Sequence, residues 1–234
     1  MTGIFAGADE PRDGDELPPA IPAATVILVR DGDEGLETLM LRKNAKLAFG
    51  GMWVFPGGRV DPADGEGAEG HRRAAVREAL EEADLVVDPA SLVPFSHWTP
   101  PAVTVKRFTT AFFLAPAPVG AEVTIDGGEI HEHVWVRPST ALERHGKGEV
   151  ELAPPTWVTL HALSEAVDVA AALVAAGDAE VEHYQTVLGR TDDGSLTVLW
   201  HGDAGYESAD AARPGPRHRL TMLADAPWIY ERDV

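Results

Sequence analysis

The sequence contains no cysteine, which excludes disulfide bonds, zinc sites built on thiolates and catalysis by a cysteine nucleophile. Basic residues are scarce, because 19 Lys and Arg stand against 38 Asp and Glu and give a formal net charge of -19. A field of this sign repels nucleic acid and anionic lipid, so neither is expected as a partner. A polyanionic substrate would need a bridging cation. The catalytic groups that remain are carboxylates, His, Lys and hydroxyls.

Long apolar runs are also missing. The longest, near residues 167–176, is interrupted by Asp168 and is too short to span a bilayer, so no membrane segment is expected. Residues 1–20 are acidic and rich in Gly and Pro, whereas a secretory signal would be basic and then apolar. We expect these residues to be a disordered lead-in to a cytoplasmic protein. Whether the protein forms a homodimer is left open.

The order of the predicted elements favours an α+β fold. Hydrophobic residues make up 44% of the chain, which is enough for one large core. Apolar runs predict six strands, at 24–30, 37–43, 52–58, 92–99, 106–114 and 132–136. The first two form a hairpin, the third is short and ends in two glycines, and a polar loop and a helix separate the third from the fourth. We expect one domain at 21–149 and an extension packed on it at 150–234.

The extension is predicted to contain helices and then strands. Prolines open a helix at Pro154, Ser164 is placed to cap a second helix, and Gly177 would end it. A hairpin is predicted around Asp193-Gly194, and one or two strands would close the chain. Near its end, the basic run from Arg213 to Arg219 either binds a remote substrate phosphate or balances charge in a loop.

The segment VREALEEADL, Val76 to Leu85, predicts the end of a helix that carries four acidic residues. Acidic side chains are unfavourable there, because the C-terminal end of a helix carries partial negative charge and like charges three or four residues apart repel. The helical period places the apolar residues Val76, Ala79, Leu80 and Ala83 on one side and the acids Glu78, Glu81 and Glu82 on the other. The acids are either a solvated face or a set of ligands.

A divalent cation would resolve this conflict of charges. Arg77 is four residues from Glu81, so an ion pair is expected there, while the remaining acids stay uncompensated. Carboxylate oxygens suit Mg²⁺ or Mn²⁺, which bind through a few carboxylates together with substrate phosphates. Just upstream, Gly57 and Gly58 end a predicted strand and would let the backbone approach a phosphate closely.

These motifs resemble the signature box of the Nudix hydrolases. That box reads Gly, five residues, Glu, seven residues, Arg-Glu, an apolar residue, any residue, Glu-Glu, any residue, Gly and an apolar residue. The resemblance covers about residues 20–145, and the positions in register are Glu69, Arg77, Glu78, Ala79, Glu81, Glu82 and Leu85. Two positions depart from it. The interval from Gly58 to Glu69 is longer, and Asp84 replaces a Gly where a left-handed backbone is expected, which Asp tolerates.

The resemblance implies an α/β/α sandwich with a mixed sheet and a C-terminal extension. It also implies hydrolysis of a nucleoside diphosphate linked to another moiety, with Mg²⁺ or Mn²⁺ bound by Glu78, Glu81 and Glu82. Arg77 would orient a carboxylate. Metal ions in such a site would neutralise the diphosphate and lower the pKa of the attacking water.

A carboxylate outside the helix often completes such a site, and Glu129 and Glu132 are the candidates. Glu132 is preferred, because alternation places it on the same side of a strand as Ile130 and Val134, where an acid without a role is unusual. It could equally be a surface acid. His131 and His133 share a strand face but have no third nitrogen or sulfur ligand in view, so a zinc site is not expected.

The substrate is less well determined. Arg42, Gly51 and Phe55 to Gly58 agree with the coenzyme A diphosphatase motif of one Nudix branch, whereas Thr38 to Met40, Lys43 and Leu47 do not. Arg42, Gly57 and Gly58 are therefore candidates for contacting the substrate. Coenzyme A or its thioesters are narrowly preferred to ADP-ribose or dinucleotides. A non-catalytic module that senses a nucleotide is the alternative, although the intact glutamates favour turnover.

Overall fold

The computed structural model describes residues 19–45, 50–102, 107–125, 127–224 and 226–233. The described chain divides into two compact units. The first holds residues 21–97 and 110–182, and the second holds residues 98–109 and 183–233. The helices after residue 150, which the sequence analysis assigned to the extension, belong to the first unit.

The first unit is built on a sheet with strand order β3-β2-β1-β6-β5, in which β4 pairs with β1 and β7 pairs with β2. The pairs of β1 with β2 and β4, and of β2 with β3 and β7, are antiparallel. The strand bounds, in chain order, are β1 (Ile21–Gly32), β2 (Gly35–Lys43), β3 (Trp53–Val54), β4 (Gly57–Arg59), β5 (Val93–Thr99), β6 (Phe108–Pro116) and β7 (Ile130–Val136).

Four α-helices accompany this sheet in the described chain: α1 (Gly67–Ala83), α2 (Pro138–Gly146), α3 (Pro154–Leu163) and α4 (Val169–Asp178). The start of α3 at Pro154 confirms the prediction. The predicted cap of the next helix is wrong, because Ser164 ends α3, while the Asp168 side chain accepts a hydrogen bond from the Ala171 N–H and caps α4. Helix α4 ends one residue beyond Gly177, and α2 was not predicted.

Helix α1 packs on one face of the sheet through small residues. Four of its five alanines, Ala74, Ala75, Ala79 and Ala83, are fully buried against Val26 and Leu28 of β1 and Leu39 and Leu41 of β2. Alanines let the helix axis approach the sheet closely, which brings the ends of longer side chains on α1 to the strands. Asp84 ends the helix at φ 56°, and its N–H donates to the carbonyls of Ala79 and Leu80. The predicted left-handed cap is confirmed.

The opposite face of the sheet is also covered. Met40 of β2 and Val134 and Val136 of β7 lie with Ala141 of α2 and Leu152 around a shallow cavity. The sheet therefore lies between helices, and the predicted α+β class with an α/β/α sandwich is confirmed. None of the helices in the described ranges is both long enough and apolar enough to cross a membrane.

The second unit has its own antiparallel sheet, with strand order β12-β11-β10-β9. The strands of this sheet are β9 (Val187–Arg190), β10 (Leu196–Leu199), β11 (His218–Met222) and β12 (Ile229–Arg232). Strand β8 (Glu182–Gln185) precedes them in the chain and is not part of this sheet. The turn between β9 and β10 contains Asp193 and Gly194, which confirms the predicted hairpin. Inside this unit, Trp98 stacks on Tyr184 with ring centroids 3.8 Å apart.

Candidate functional site

Glu82 is buried, with only 4% of its surface exposed. It lies near the end of α1, where its Oε2 accepts a hydrogen bond from the Gly57 N–H at 2.9 Å and its Oε1 lies 3.3 Å from the Lys43 Nζ. Burial raises the pKa of Glu82 to about 7, although Lys43 and the Gly57 N–H oppose that rise. The helical period placed Glu82 on the side opposite the apolar residues, yet its side chain is buried. Of the two alternatives, a solvated acidic face therefore does not explain this residue.

Glu78 lies one helical turn before Glu82 and is also largely buried. A Cβ added at Gly58 would overlap the Glu78 carboxylate, so a larger residue there would displace that carboxylate from its position. Burial raises the pKa of Glu78, while the guanidinium of Arg77 lowers it. The glycine pair therefore contacts two glutamates, through the N–H of Gly57 and through the missing side chain of Gly58.

Arg77 holds the acids of this region in place. Its guanidinium donates to Glu78 Oε1 and Glu81 Oε2, both at 2.8 Å, and to the Arg59 carbonyl at 2.9 Å. The predicted pair with Glu81, four residues away, is confirmed. Because Glu81 is 56% exposed whereas Glu78 is largely buried, the same cation links a solvated carboxylate to an enclosed one.

Asp64 is a further partner of Arg77 that the sequence analysis missed. It ends a short 3-10 turn, Pro62–Asp64, inside the long loop before α1. Arg77 donates to Asp64 Oδ2 at 2.9 Å, and this bond holds the Asp64 pKa below its usual value although burial opposes it. Asp61-Pro62 followed by an acid at the third position was the available signal for such a turn. Glu69, which the sequence analysis aligned with the first Glu of the signature box, lies in the first turn of α1 and is exposed.

Lys43 was also missed as a site residue. It is the last residue of β2, and its Nζ lies between Glu82 Oε1 at 3.3 Å and Glu129 Oε2 at 3.8 Å. Glu129 directly precedes β7. Of the two candidates for an additional carboxylate, Glu129 therefore lies on the same side as Glu82.

Glu132 lies elsewhere because of a bulge. Arg42 pairs with Glu132 and Lys43 pairs with Ile130, so His131 is an extra residue in β7. A bulge of one residue reverses the alternation of side chains, and Ile130 and Glu132 consequently lie on opposite faces. The expectation of a shared face is therefore wrong for Ile130, whereas Glu132 and Val134 do share a face, because the register between them is regular. Glu132 is 54% exposed and pairs with Arg42 Nη1 at 2.9 Å.

Two other candidates are placed by the structure. His131 and His133 are both exposed on β7. Arg219, at the end of the basic run that began at Arg213, is buried and forms a two-pronged ion pair with Asp203, whose Oδ1 and Oδ2 lie 2.6 and 2.7 Å from its guanidinium. Arg219 therefore serves the interior of the second unit and is not available to a substrate phosphate.

The donor chemistry at Glu78 and Glu82 fits a divalent cation. Both carboxylates are enclosed, and burial raises the pKa of each. Glu82 Oε1 accepts no hydrogen bond of normal geometry from the described residues. Carboxylate oxygens are the ligands that Mg²⁺ and Mn²⁺ prefer. Across the described ranges, no three His, Asp or Glu side chains are grouped around one point. Here the cations of Lys43 and Arg77 compensate the carboxylates.

Comparison with known proteins supports one family. Residues 19–155, more than half of the chain, match the family model described as the NUDIX domain. A Caenorhabditis elegans protein provisionally named nudix hydrolase 7 is 26% identical over 166 residues, in an alignment that covers 56% of this chain and 56% of that protein. The chain therefore spans about half the length of this curated relative.

Solved structures show the same fold. A NUDIX hydrolase from Alicyclobacillus acidocaldarius superposes with a TM-score of 0.62 at 22% identity, covering 68% of this chain and 97% of that one. The NUDIX domain of Shewanella oneidensis NrtR, solved with ADP ribose, gives a TM-score of 0.50 at 16% identity and covers 64% of this chain and 89% of that one. At these identities the likeness concerns the fold.

Proposed function

Because this chain belongs to the Nudix family, we propose that it hydrolyses the diphosphate linkage of a nucleoside diphosphate derivative, with Mg²⁺ or Mn²⁺ bound at α1. One observation carries the proposal: the Glu82 carboxylate is enclosed at a helix end where it is electrostatically unfavourable, and its pKa is raised to about 7. Stability alone would not select a buried acid at this position.

The roles of the α1 residues follow from their contacts. Glu78 and Glu82 would provide enclosed ligand oxygens, and Glu81 would provide an exposed one. When bound, the cation would neutralise the diphosphate and lower the pKa of an attacking water. Arg77 orients Glu78 and Glu81 through its hydrogen bonds and is itself fixed by Asp64. It is a positioning residue in this account.

An additional carboxylate is better supplied by Glu129 than by Glu132. The Glu129 carboxylate lies 3.8 Å from the ammonium that also pairs with Glu82, whereas Glu132 lies on the other side of the bulge with Arg42. A carboxylate near Glu82 could accept a proton from water as it attacks the diphosphate. We therefore assign that role to Glu129 within the proposal.

For the substrate we propose coenzyme A or its thioesters. Arg42, Gly51 and the run from Phe55 to Gly58 support this choice because they agree with the motif of that branch. Arg42 is 47% exposed, so its guanidinium is accessible to a phosphate after leaving Glu132. Departures at Thr38 to Met40, Lys43 and Leu47 weaken the match, so ADP-ribose and dinucleotides belong in the same test.

The test is a panel of diphosphates, comprising coenzyme A, acetyl-coenzyme A, ADP-ribose and NADH, incubated with Mg²⁺, with Mn²⁺ or with excess chelator. Mass spectrometry of the products in ¹⁸O-water identifies which phosphate receives the water oxygen. We expect hydrolysis between the two phosphorus atoms of the diphosphate only when a divalent cation is present. ADP-ribose and NADH would each give two monophosphates, whereas the coenzyme A compounds would give adenosine 3',5'-bisphosphate and a phosphopantetheine. Undiminished turnover in chelator would contradict the metal-dependent mechanism. Thermal stabilisation by one compound without turnover of any would instead indicate a nucleotide-sensing module.

A further inference from the structure

Lys43 is held in a fixed position at the end of β2. Its N–H donates to the Met52 carbonyl at 3.1 Å, and its own carbonyl accepts from the Gly51 N–H at 2.9 Å. The register of β2 with β7 opposes Lys43 to Ile130 directly beside the bulge. Its side chain is only 17% exposed. A long flexible side chain is enclosed here, so the position of its ammonium is set by its neighbours.

Those neighbours are two carboxylates of different character. Glu82 is enclosed, and its other oxygen is engaged by the Gly57 N–H, so Oε1 is the atom directed at the Lys43 Nζ. Glu129 is 62% exposed on the outer side of the same ammonium. The Lys43 Nζ therefore lies between an inner and an outer carboxylate, at 3.3 and 3.8 Å.

This arrangement has a direct electrostatic meaning. A buried carboxylate without a counter-charge is strongly unfavourable, and Lys43 supplies that charge from 3.3 Å. A divalent cation that bound Glu82 Oε1 would need the same side of the carboxylate and would repel the ammonium. The two cations consequently exclude each other at this oxygen, while Glu129 remains within reach of the displaced ammonium.

We propose that Lys43 is the resident counter-cation of Glu82, and that a divalent metal ion displaces its ammonium toward Glu129. This inference rests on the proposed function, because it takes Glu82 as a metal ligand. Lys43 stabilises the folded chain at low metal concentration by compensating Glu82. It also competes with the metal, so the apparent metal affinity is lower than the carboxylates alone would give. Lys43 thereby sets the metal concentration at which the site fills.

The test is a Mn²⁺ titration of the 234-residue chain without substrate, with free Mn²⁺ measured by electron paramagnetic resonance. Lys43→Met retains the apolar stem and removes the charge, and Lys147→Met, at an exposed lysine after α2, is the matched control. We expect Lys43→Met to bind Mn²⁺ at least about fivefold more tightly than wild type. In chelator it should melt at a lower temperature, and Mn²⁺ should raise that temperature more than it does for wild type or Lys147→Met.

Equal or weaker Mn²⁺ affinity of Lys43→Met, beside normal binding by wild type, would overturn the inference and leave the proposed function standing. Failure of wild type to bind Mn²⁺ at all would overturn both.

A second measurement needs no substitution and covers the case in which Lys43→Met does not fold. Lysine acetylation by acetic anhydride is followed by mass spectrometry in wild type, with Lys147 as the internal reference. Metal binding should expose the Lys43 ammonium, so Mg²⁺ should increase acetylation of Lys43 relative to Lys147. An unchanged or decreased ratio at saturating Mg²⁺ would show that Lys43 stays at Glu82 and would overturn the inference.

Discussion

The Glu82 carboxylate accepts a hydrogen bond from the backbone N–H of Gly57, 25 residues earlier in the chain, at 2.9 Å. This bond ties the end of α1 to the start of β4. It also engages one oxygen of a buried carboxylate and leaves the other directed at Lys43. The acids at this helix end are thus fixed by the strand beside them, which a solvated acidic face would not require.

The pH dependence of stability should report the raised pKa of Glu82. The pKa of Glu82 is about 7 in the folded state, above its ordinary value of 4.5, so the folded state binds the carboxyl proton more tightly than the unfolded state does. This proton binding stabilises the fold at low pH, and the stabilisation is lost as pH rises through 7. In chelator, Glu82→Gln should therefore become more stable than wild type above pH 7, by about 1–3 kcal/mol. The difference should shrink below about pH 5. Denaturant unfolding of both proteins across this range checks it, and a pH-independent difference would contradict the assignment.

Asp64 should contribute stability with the opposite pH dependence. Arg77 holds its folded pKa below the ordinary 3.8, so the contribution is present above that value and is lost as pH falls through the folded pKa. At neutral pH, Asp64→Asn should lower the free energy of unfolding by about 1–3 kcal/mol, because the half-buried Arg77 loses its carboxylate. Asp61→Asn, in the same turn but paired with the exposed Arg59, is the control and should lose about 1 kcal/mol or less. Equal losses would show that the Asp64–Arg77 pair contributes no more to stability than an exposed ion pair.

Gly58 and Gly177 should respond to alanine in opposite directions. At Gly58 the new Cβ would overlap the Glu78 carboxylate, so both stability and turnover should fall. At Gly177, inside α4, a Cβ meets no atom within 4 Å, and alanine should stabilise by about 0.5–1 kcal/mol through helix propensity. Thermal melts with parallel activity assays measure both. Wild-type turnover of Gly58→Ala would show that the position of Glu78 is unimportant for the reaction.

Arg42→Ala should affect substrate use more than folding. Its ion pair with Glu132 is exposed at both ends and should contribute about 1 kcal/mol or less to stability. If Arg42 binds a substrate phosphate, loss of that charge-assisted bond should raise KM by about tenfold or more. Arg137→Ala removes a similarly exposed arginine, paired with Glu34 at 3.6 Å, and should leave KM unchanged. Identical kinetics for the two variants, with every accepted substrate, would make Arg42 a surface residue.

Local patterns predicted the helix and its end well. The left-handed Asp84, the Arg77–Glu81 pair and the start of α3 at Pro154 all depend on residues close in sequence, and the structure confirms each. The helical period, however, gives only the direction of each side chain around the helix axis. It does not show which strand or loop packs on that side. Leu80, assigned to the packed side, is 45% exposed, whereas Glu82 is buried because the end of β2 and the start of β4 lie beside it.

The residues that the sequence analysis missed or misplaced depend on contacts between distant segments. A single extra residue at His131 reverses the face of Glu132, and no composition signal marks that bulge. Lys43 was noticed only as a departure from a motif, although its ammonium at the end of β2 pairs with Glu82 of α1. Asp64 lies in the long loop, where its partnership with Arg77 requires the folded 3-10 turn.

Turnover of Glu82→Gln at saturating Mg²⁺ tests the central claim most directly, measured on whichever diphosphate wild type hydrolyses best. Glutamine preserves the shape and still accepts the Gly57 N–H, but it removes the ligand charge. Glu66→Gln, an exposed acid that precedes α1 and makes no capping bond, is the control and should keep wild-type kinetics. We predict that kcat of Glu82→Gln falls by at least about a hundredfold, while its melt in chelator at pH 8 is no lower than that of wild type. Activity within a few-fold of wild type, with an equally intact fold, would contradict the assignment of Glu82 and the account of the site built on it.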